Sequence, residues 1–142
     1  MIILPLRVES DIRGEARRAY PWECCGLIVG TSSAGVRRAA RIVPLNNARE
    51  GEERRRRFAI DPLDFARAER EAAREGLEVW GIYHSHPDHP AAPSARDLER
   101  ALPFYSYVIV AARDGEDREL NSFLLASDRS RMEPEEVWVG EK

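Results

Sequence analysis

Histidine, cysteine and lysine are scarce in this 142-residue chain, which has three histidines, two cysteines and a single lysine, Lys142. Long apolar runs are lacking too, since no stretch approaches the roughly 20 apolar residues of a membrane-spanning helix. The N-terminal apolar run is too short for a signal peptide, and Pro5 interrupts it. Cys24 and Cys25 are adjacent, which disfavours a disulfide and fits a reducing compartment. These absences predict a cytoplasmic protein.

The composition is that of a globular protein. Hydrophobic residues make up 43% of the chain and charged residues 33%, so it can bury a core and still dissolve. The net charge of −3 gives no reason to expect nucleic acid or a membrane surface as a partner. All but one of the 22 basic residues are arginine, which a GC-rich genome or selection for heat resistance could each produce. We expect a single domain over residues 1–142.

Hydrophobic periodicity predicts strands and helices that alternate along the chain. Helices are expected in "VESDIRGEARRAYP", in "DPLDFARAEREAAREG", where Asp61 is the N-cap, and in "SARDLERAL". "NNAREGEERRRR" is expected to be a loop. The fold class is therefore α/β, a three-layer-like sandwich with a mixed β-sheet flanked by helices. The predicted strands are "IILPL", "CCGLIVG" (closed by Gly30), "GVRRAARIVPL", "LEVWGIYHSH", "YSYVIVAA", "ELNSFLLA" and "EEVWVG".

All three histidines lie within six consecutive positions, as His84, His86 and His89. In a strand "VWGIYHSH", alternation puts Trp80, Ile82, His84 and His86 on one face. The stems of His84 and His86 are then roughly 7 Å apart, so both rings can reach one ion at about 2.0–2.1 Å. An H-x-H pair also occurs by chance, and by itself it indicates little.

Asp97 is the candidate third ligand. The segment "SARD", from Ser94 to Asp97, reads as a helix capping box and puts Asp97 in the first helical turn. Three prolines in "PDHPAAP" stiffen the path from His86 to this helix. His89, on that loop, is expected at an exposed rim rather than as a ligand. Ser85 falls on the opposite strand face and is expected to be structural.

The segment "HSHPDHPAAPSARD" resembles the JAMM motif, also called MPN+, of zinc isopeptidases: H-[ST]-H, seven residues, S, two residues, D. The family also has an upstream glutamate, and "YPWECCGLIVG" supplies it as Glu23. The resemblance extends from about Ile2 to about Val139, and it implies a fold similar to that of cytidine deaminases. Five matching positions at these spacings form a highly specific pattern.

The resemblance also implies roles for these five residues. His84, His86 and Asp97 are expected to bind one catalytic Zn²⁺, with water in the fourth position. Glu23 is expected to act as the general acid/base. Ser94 is expected to help hold the oxyanion. The implied reaction is metal-assisted amide hydrolysis without an acyl-enzyme.

The implied substrate is the amide after the C-terminal Gly-Gly of a ubiquitin-like or sulfur-carrier protein of the ThiS and MoaD type. The cut would free the carrier from a cysteine, a short tail or a protein lysine. Specificity is expected in the Arg54–Arg57 loop and in a groove strand that receives the tail by β-addition. The alternative is a non-catalytic MPN-type interaction scaffold, whose members usually lose the ligands. A zinc deaminase needs H-x-E and P-C-x-x-C, and neither pattern occurs. The assembly is left open, with a homodimer as one option.

Overall fold

The computed structural model describes residues 1–55, 58–114 and 116–141, and within them it contains an eight-stranded sheet with helices on both faces. A short 3₁₀ helix spans Gly51–Arg55. The strands are β1 (Ile2–Leu4), β2 (Cys25–Ser33), β3 (Val36–Leu45), β4 (Glu78–Pro87), β5 (Ser106–Arg113), β6 (Glu116–Leu125), β7 (Met132–Glu135) and β8 (Val137–Val139). The helices are α1 (Leu6–Ala19), α2 (Pro62–Arg74) and α3 (Ala95–Arg100).

Strand β4 lies inside the sheet, whose order is β7-β6-β5-β4-β2-β3-β1-β8. It pairs antiparallel with β2 and parallel with β5, so the sheet is mixed. Helix α1 packs against Trp80 and Tyr83 on one face. On the other face Ala68 and Ala72 of α2 pack with Ile82. The predicted α/β sandwich of helices around a mixed sheet is confirmed.

The β2–β3 hairpin is longer than predicted, because β2 continues beyond Gly30 to Ser33. A Cβ at Gly30 would lie 1.9 Å from the backbone oxygen of Arg38. The glycine therefore lets β3 approach closely where the register of the pair shifts, rather than ending the strand. The turn consists of Ala34 and Gly35, both with positive φ, as a two-residue hairpin turn requires.

The C-terminal segment "EEVWVG" was predicted to be one strand, but it contributes to two. Strand β7 pairs with β6 at one edge of the sheet, and β8 pairs with β1 at the other. Only Glu136 separates them, and its backbone oxygen accepts a 2.9 Å hydrogen bond from the nitrogen of Ile2. The sheet therefore curls around α1 until its two edges meet, which is a tertiary effect that local pattern does not reveal.

The prediction that Trp80 shares a face with Ile82 and the histidines is wrong for Trp80. Consecutive residues of β2 pair with Val79 and Gly81, so Trp80 is an extra residue in a β-bulge. Trp80 packs in the cluster under α1, whereas Ile82 packs in the cluster under α2. The bulge reverses the alternation before the strand reaches its histidines.

The segment 46–60 connects β3 to α2, and its residues 46–57 were expected to be a loop. It contains the 3₁₀ helix, and the side chain of Asn47 organises it by accepting hydrogen bonds from the nitrogens of Arg49 and Ala59, at 3.0 and 3.1 Å. Of the predicted Arg54–Arg57 contact loop, Arg56 and Arg57 lie outside the described residues. Arg54 stacks its guanidinium 4.2 Å over the ring of Trp22.

The three helices begin and end close to their predicted bounds. The carboxylate of Asp61 accepts a 2.8 Å hydrogen bond from the nitrogen of Leu63 and caps α2. Gly76, just past the end of α2, has a φ of +74°. Over the part of the chain that the structure describes, no helix is long and apolar enough to cross a membrane.

Candidate metal centre

Strand β4 brings two imidazoles together near its C-terminal end. His84 and His86 are both buried and project from the same face of the strand. Their Nε2 atoms lie 3.1 Å apart. The strand is paired with both β2 and β5 at His84, and with β5 at His86, so the backbone under the two rings is fixed.

Helix α3 supplies the third group from its first turn. The Oδ1 atom of Asp97 lies 3.3 Å from Nε2 of His84, and Oδ2 lies 3.1 Å from Nε2 of His86. The predicted capping box is present, because the nitrogen of Asp97 donates to Oγ of Ser94 and the nitrogen of Ser94 donates to Oδ2 of Asp97. The cap thus fixes the carboxylate against the histidines.

The donor set fits a metal ion. Within the described residues, ligand atoms of His84, His86 and Asp97 lie within 4.8 Å of one another, and neither cysteine belongs to this group. Ligands at about 2.0–2.1 Å from a tetrahedral zinc are about 3.3–3.4 Å apart, close to the separations seen here. Three protein ligands leave one position open, as in catalytic zinc sites.

Hydrogen bonding around His86 also favours a cation at this point. Its Nδ1 lies 2.9 Å from the backbone oxygen of Pro90, which can only accept, so Nδ1 carries the proton. In the neutral imidazole Nε2 then presents a lone pair toward the Asp97 carboxylate. Two lone pairs at this distance repel unless a cation lies between them. Metal-binding histidines usually donate their other ring N–H to a carbonyl or carboxylate in this way, which fixes the orientation of the ring.

Electrostatics keep these groups in the protonation states that metal binding needs. Burial, the largest effect, lowers the pKa of His84 and favours its neutral form. Burial alone would raise the pKa of Asp97, but the two imidazoles beside its oxygens and the backbone nitrogen of Ser94 outweigh it and hold that pKa well below its usual range. The Nδ1 atom of His84 is buried and has no hydrogen-bond partner within the described ranges.

Two cavities border this group. One, of about 130 Å³, has mostly apolar walls. Phe58 lines it and stacks on the ring of His84, with centroids 4.5 Å apart. The other, of about 400 Å³, opens on the side of His86 and is lined by Ser94 and His89. His89 is exposed, which confirms its predicted place at the rim.

Glu23 lines both cavities and lies two residues before the start of β2. Its side chain is buried, with the residue only 5% exposed. Its backbone nitrogen donates to the oxygen of Arg54, and its oxygen accepts from the side-chain amide of Asn47 at 3.3 Å. Burial, and to a smaller extent the negative charge of Asp97, raise the pKa of Glu23 to about 9. A buried carboxyl group that keeps its proton at neutral pH therefore lies beside the group of three ligands.

The other predicted site residues lie where the alternation of side chains along the strands places them. Ser85 points away from the ligands, and its Oγ accepts a 2.8 Å hydrogen bond from the nitrogen of Cys24. Cys24 and Cys25 are buried and form no disulfide, and burial raises the pKa of each thiol, to about 11 and about 12. Ser94 is exposed at the mouth of the larger cavity.

Sequence reasoning missed two contacts of the site. Phe58 follows the run of arginines, and its isolated aromatic ring in a polar stretch is the signal that could have pointed to it. The carboxylate of Asp88 accepts hydrogen bonds from the hydroxyl of Tyr20 at 2.8 and 3.0 Å. This contact ties the segment before Glu23 to the segment after His86, and no local pattern indicates it.

The fold and site define a mixed-sheet α/β domain with a buried His–His–Asp group able to hold one metal ion. The sequence matches the family described as prokaryotic homologs of the JAB domain over residues 5–125. The chain therefore belongs to this family, and the predicted JAMM relationship is confirmed.

Relatives and solved structures agree with this membership. A "Probable TtuB-protein conjugate cleaving protease" of Thermus thermophilus is 35% identical over 109 residues, which cover 77% of this chain and 69% of the relative. A "Desampylase" of Haloferax volcanii is 37% identical over 101 residues, covering 70% of each chain. A solution structure of a Desulfitobacterium hafniense protein has a TM-score of 0.85 at 32% identity, and covers 100% of this chain and 94% of that one.

Proposed function

We propose that this protein is a zinc-dependent peptidase or isopeptidase that hydrolyses the amide after the C-terminal Gly-Gly of a ubiquitin-like or sulfur-carrier protein. The observation that carries the proposal is the convergence of His84, His86 and Asp97, with Glu23 lining the same cavities. A scaffold has no need of a buried three-ligand group with a carboxylic acid beside it. The names of the relatives support a conjugate as the substrate class.

The three ligands and Glu23 divide the chemistry between them. A zinc ion held by His84, His86 and Asp97 would supply Lewis acidity, which polarises an amide carbonyl and lowers the pKa of water to about 7. Glu23 then accepts the proton of the attacking water and returns it to the departing amine. Without a metal ion, burial keeps Glu23 protonated near neutral pH, and the positive charge of a bound zinc ion would lower its pKa so that it can accept this proton.

Within the described residues the hydroxyl hydrogen of Ser94 has no acceptor, so it can donate to the carbonyl oxygen of the substrate as that oxygen becomes negative. In the capping box its Oγ accepts from the nitrogen of Asp97, which leaves the hydroxyl hydrogen available. The hydroxyl lies at the mouth of the cavity that Glu23 and His86 also line. A donor of this kind contributes most when charge develops in the transition state.

The substrate tail has to enter without pairing to an edge of the main sheet. Among the described strands the edges are β7 and β8, and neither neighbours β4. The segment 58–60 lines the smaller cavity, and Ala59 is tied on its other side to residues 47 and 48. We therefore assign β-addition of the tail to segment 58–60.

ThiS- and MoaD-type carriers remain the predicted partners, and the cytoplasm remains the predicted compartment.

The test is hydrolysis of carrier–Gly-Gly–peptide conjugates by the wild type and by Glu23→Ala, each with and without a chelator. We expect Glu23→Ala to keep its zinc and to lose roughly 10²–10⁴-fold in kcat, the range for general acid/base groups. Glu71→Ala, an exposed glutamate of α2, is the matched control and should keep full activity. Equal rates for wild type and Glu23→Ala would remove Glu23 from the mechanism, and chelator-resistant cleavage would remove the metal.

A further inference from the structure

The loop 101–105, between α3 and β5, presents two large apolar side chains to solvent. Leu102 is 50% exposed and Phe104 is 51% exposed. Single exposed apolar residues need no explanation, but two of them on one short loop beside a candidate active site form a patch. Leu102 also lines the smaller cavity together with His84 and Asp97, so the patch continues into the site.

This exposure is fixed by the fold rather than produced by a loose loop. The nitrogen of Leu102 donates a 2.7 Å hydrogen bond to the hydroxyl of Tyr107. The oxygen of Ala101 accepts from the guanidinium of Arg129 at 3.0 Å. The oxygen of Phe104 accepts from Arg37. The loop is therefore anchored at three backbone groups, and a partner would meet its side chains already ordered.

Arginines surround the patch without acidic partners. Arg37 bonds to neutral oxygens and stacks its guanidinium 5.0 Å from the centroid of the Phe104 ring. Arg100 donates to the backbone oxygen of Phe58, and Arg96 lines the cavity. Across the ranges that the structure describes, none of these three arginines forms an ion pair. In contrast, Arg13 and Arg17 of α1 both pair with Asp117.

An apolar patch bordered by unpaired cations fits a partner with the opposite arrangement. We propose that Leu102 and Phe104, flanked by Arg37, Arg96 and Arg100, dock the folded body of the carrier while its Gly-Gly tail enters the cavity. The carrier surface that fits is an apolar patch bordered by carboxylates. This inference rests on the proposed function and adds the surface that recognises the substrate.

The test compares a substrate that has a folded body with one that has only the tail. ThiS- and MoaD-type carriers fused through Gly-Gly to a fluorescent peptide form the first substrate, and the last six residues of the same carrier fused to the same peptide form the second. For the variant Phe104→Ser, which leaves the cavity lining unchanged, we expect KM for the full carrier to rise roughly tenfold, because the variant loses the burial of a half-exposed aromatic side chain on binding. KM and kcat for the short substrate should stay within about twofold.

Two further variants make the test specific. Leu6→Ser removes an apolar side chain that is 68% exposed at the start of α1, and it should leave both substrates unaffected. Arg96→Glu should weaken binding of the full carrier about tenfold at low salt and make it less dependent on salt. Binding is measured directly in the Glu23→Ala background, so that it does not depend on turnover.

The outcomes separate the docking surface from the activity. An equal rise in KM for the full and the short substrates, or no rise for either, would overturn the docking surface. Cleavage of the carriers by the wild type would in that case still support the hydrolase. Carriers that bind and lose affinity in Phe104→Ser but are never cut would overturn the proposed function and leave the docking surface standing. Wild-type protein that binds none of the carriers would overturn the docking surface directly.

Discussion

The two faces of β4 carry alternate residues of one short stretch and serve different ends. On the α1 face, Tyr83 packs in the core and Ser85 holds the backbone of Cys24. On the opposite face, His84 and His86 meet Asp97 beside two cavities. Alternate residues of β4 thus have different roles. Those on the α1 face stabilise the fold, and those on the opposite face form the candidate metal site.

The comparison of the two faces shows how the backbone of a buried polar site is kept rigid. The ligands need a fixed backbone, since a catalytic constellation must hold its geometry closely. The core packing of Tyr83 and the hydrogen bond at Ser85 provide that backbone from the other side of the sheet. Changes on the ligand face should therefore remove chemistry, whereas changes on the core face should alter stability.

The largest effect is expected on the ligand face, from Asp97→Asn. The amide oxygen can still accept from the nitrogen of Ser94, so the helix cap is kept while the anionic ligand is lost. We expect zinc content to fall and activity to drop at least about 10³-fold, equal to about 4 kcal/mol of transition-state stabilisation. Zinc analysis and kcat/KM on a carrier fusion measure this. Asp128→Asn, which changes an aspartate that bonds locally to Ser130, is the control and should be silent. Full zinc occupancy in Asp97→Asn would contradict its role as a ligand.

A smaller effect should follow Glu23→Gln in the metal-free protein. Burial raises the pKa of Glu23 to about 9 from its ordinary 4.5, so between these two pH values the carboxyl group is ionised in the unfolded chain and protonated in the folded one. Wild-type stability therefore falls as the pH rises through this window, and the glutamine variant does not share that loss. At pH 8, with chelator present, we expect the variant to be more stable on the order of 2 kcal/mol.

The pH dependence of this difference is what tests the electrostatic account. It should shrink toward zero below pH 4.5, where Glu23 is protonated in both the folded and the unfolded state. Denaturant unfolding of both proteins at about pH 4 and pH 8 measures it. A difference that is constant with pH would indicate a packing effect of the amide instead of a buried carboxyl group.

The smallest effects are expected on the core face. Ser85→Ala leaves the nitrogen of Cys24 without its acceptor, and should cost about 1–2 kcal/mol of unfolding free energy while zinc content is unchanged.

Tyr83→Phe removes a buried hydroxyl that has no partner in the described part of the chain, and should be neutral or stabilising by up to about 1 kcal/mol. Loss of zinc in either variant would show that the two faces are not independent.

Local spacing was sufficient to predict much of this molecule. Alternation put His84 and His86 on one face, and the capping box put Asp97 in the first turn of α3, because strand and helix periods are fixed by the backbone. The bulge at Trp80 was not predicted, since it depends on how β2 pairs with β4.

Contacts between residues distant in sequence were also not predicted, because they depend on how strands and loops pack together. The split of "EEVWVG" into β7 and β8 arises from the curvature of the whole sheet. Phe58 reaches His84 from a loop 26 positions earlier in the chain. The burial of Glu23 depends on the segment 46–60, which supplies partners for both of its backbone polar groups.

Crystals of the wild-type protein grown with one equivalent of zinc, with anomalous diffraction recorded at the zinc edge, test the metal centre most directly. We expect one peak per chain, bonded to Nε2 of His84, Nε2 of His86 and a carboxylate oxygen of Asp97, with no fourth protein ligand. A peak bonded to Cys24, Cys25 or Glu23, or no peak among the three predicted ligands, would contradict the account.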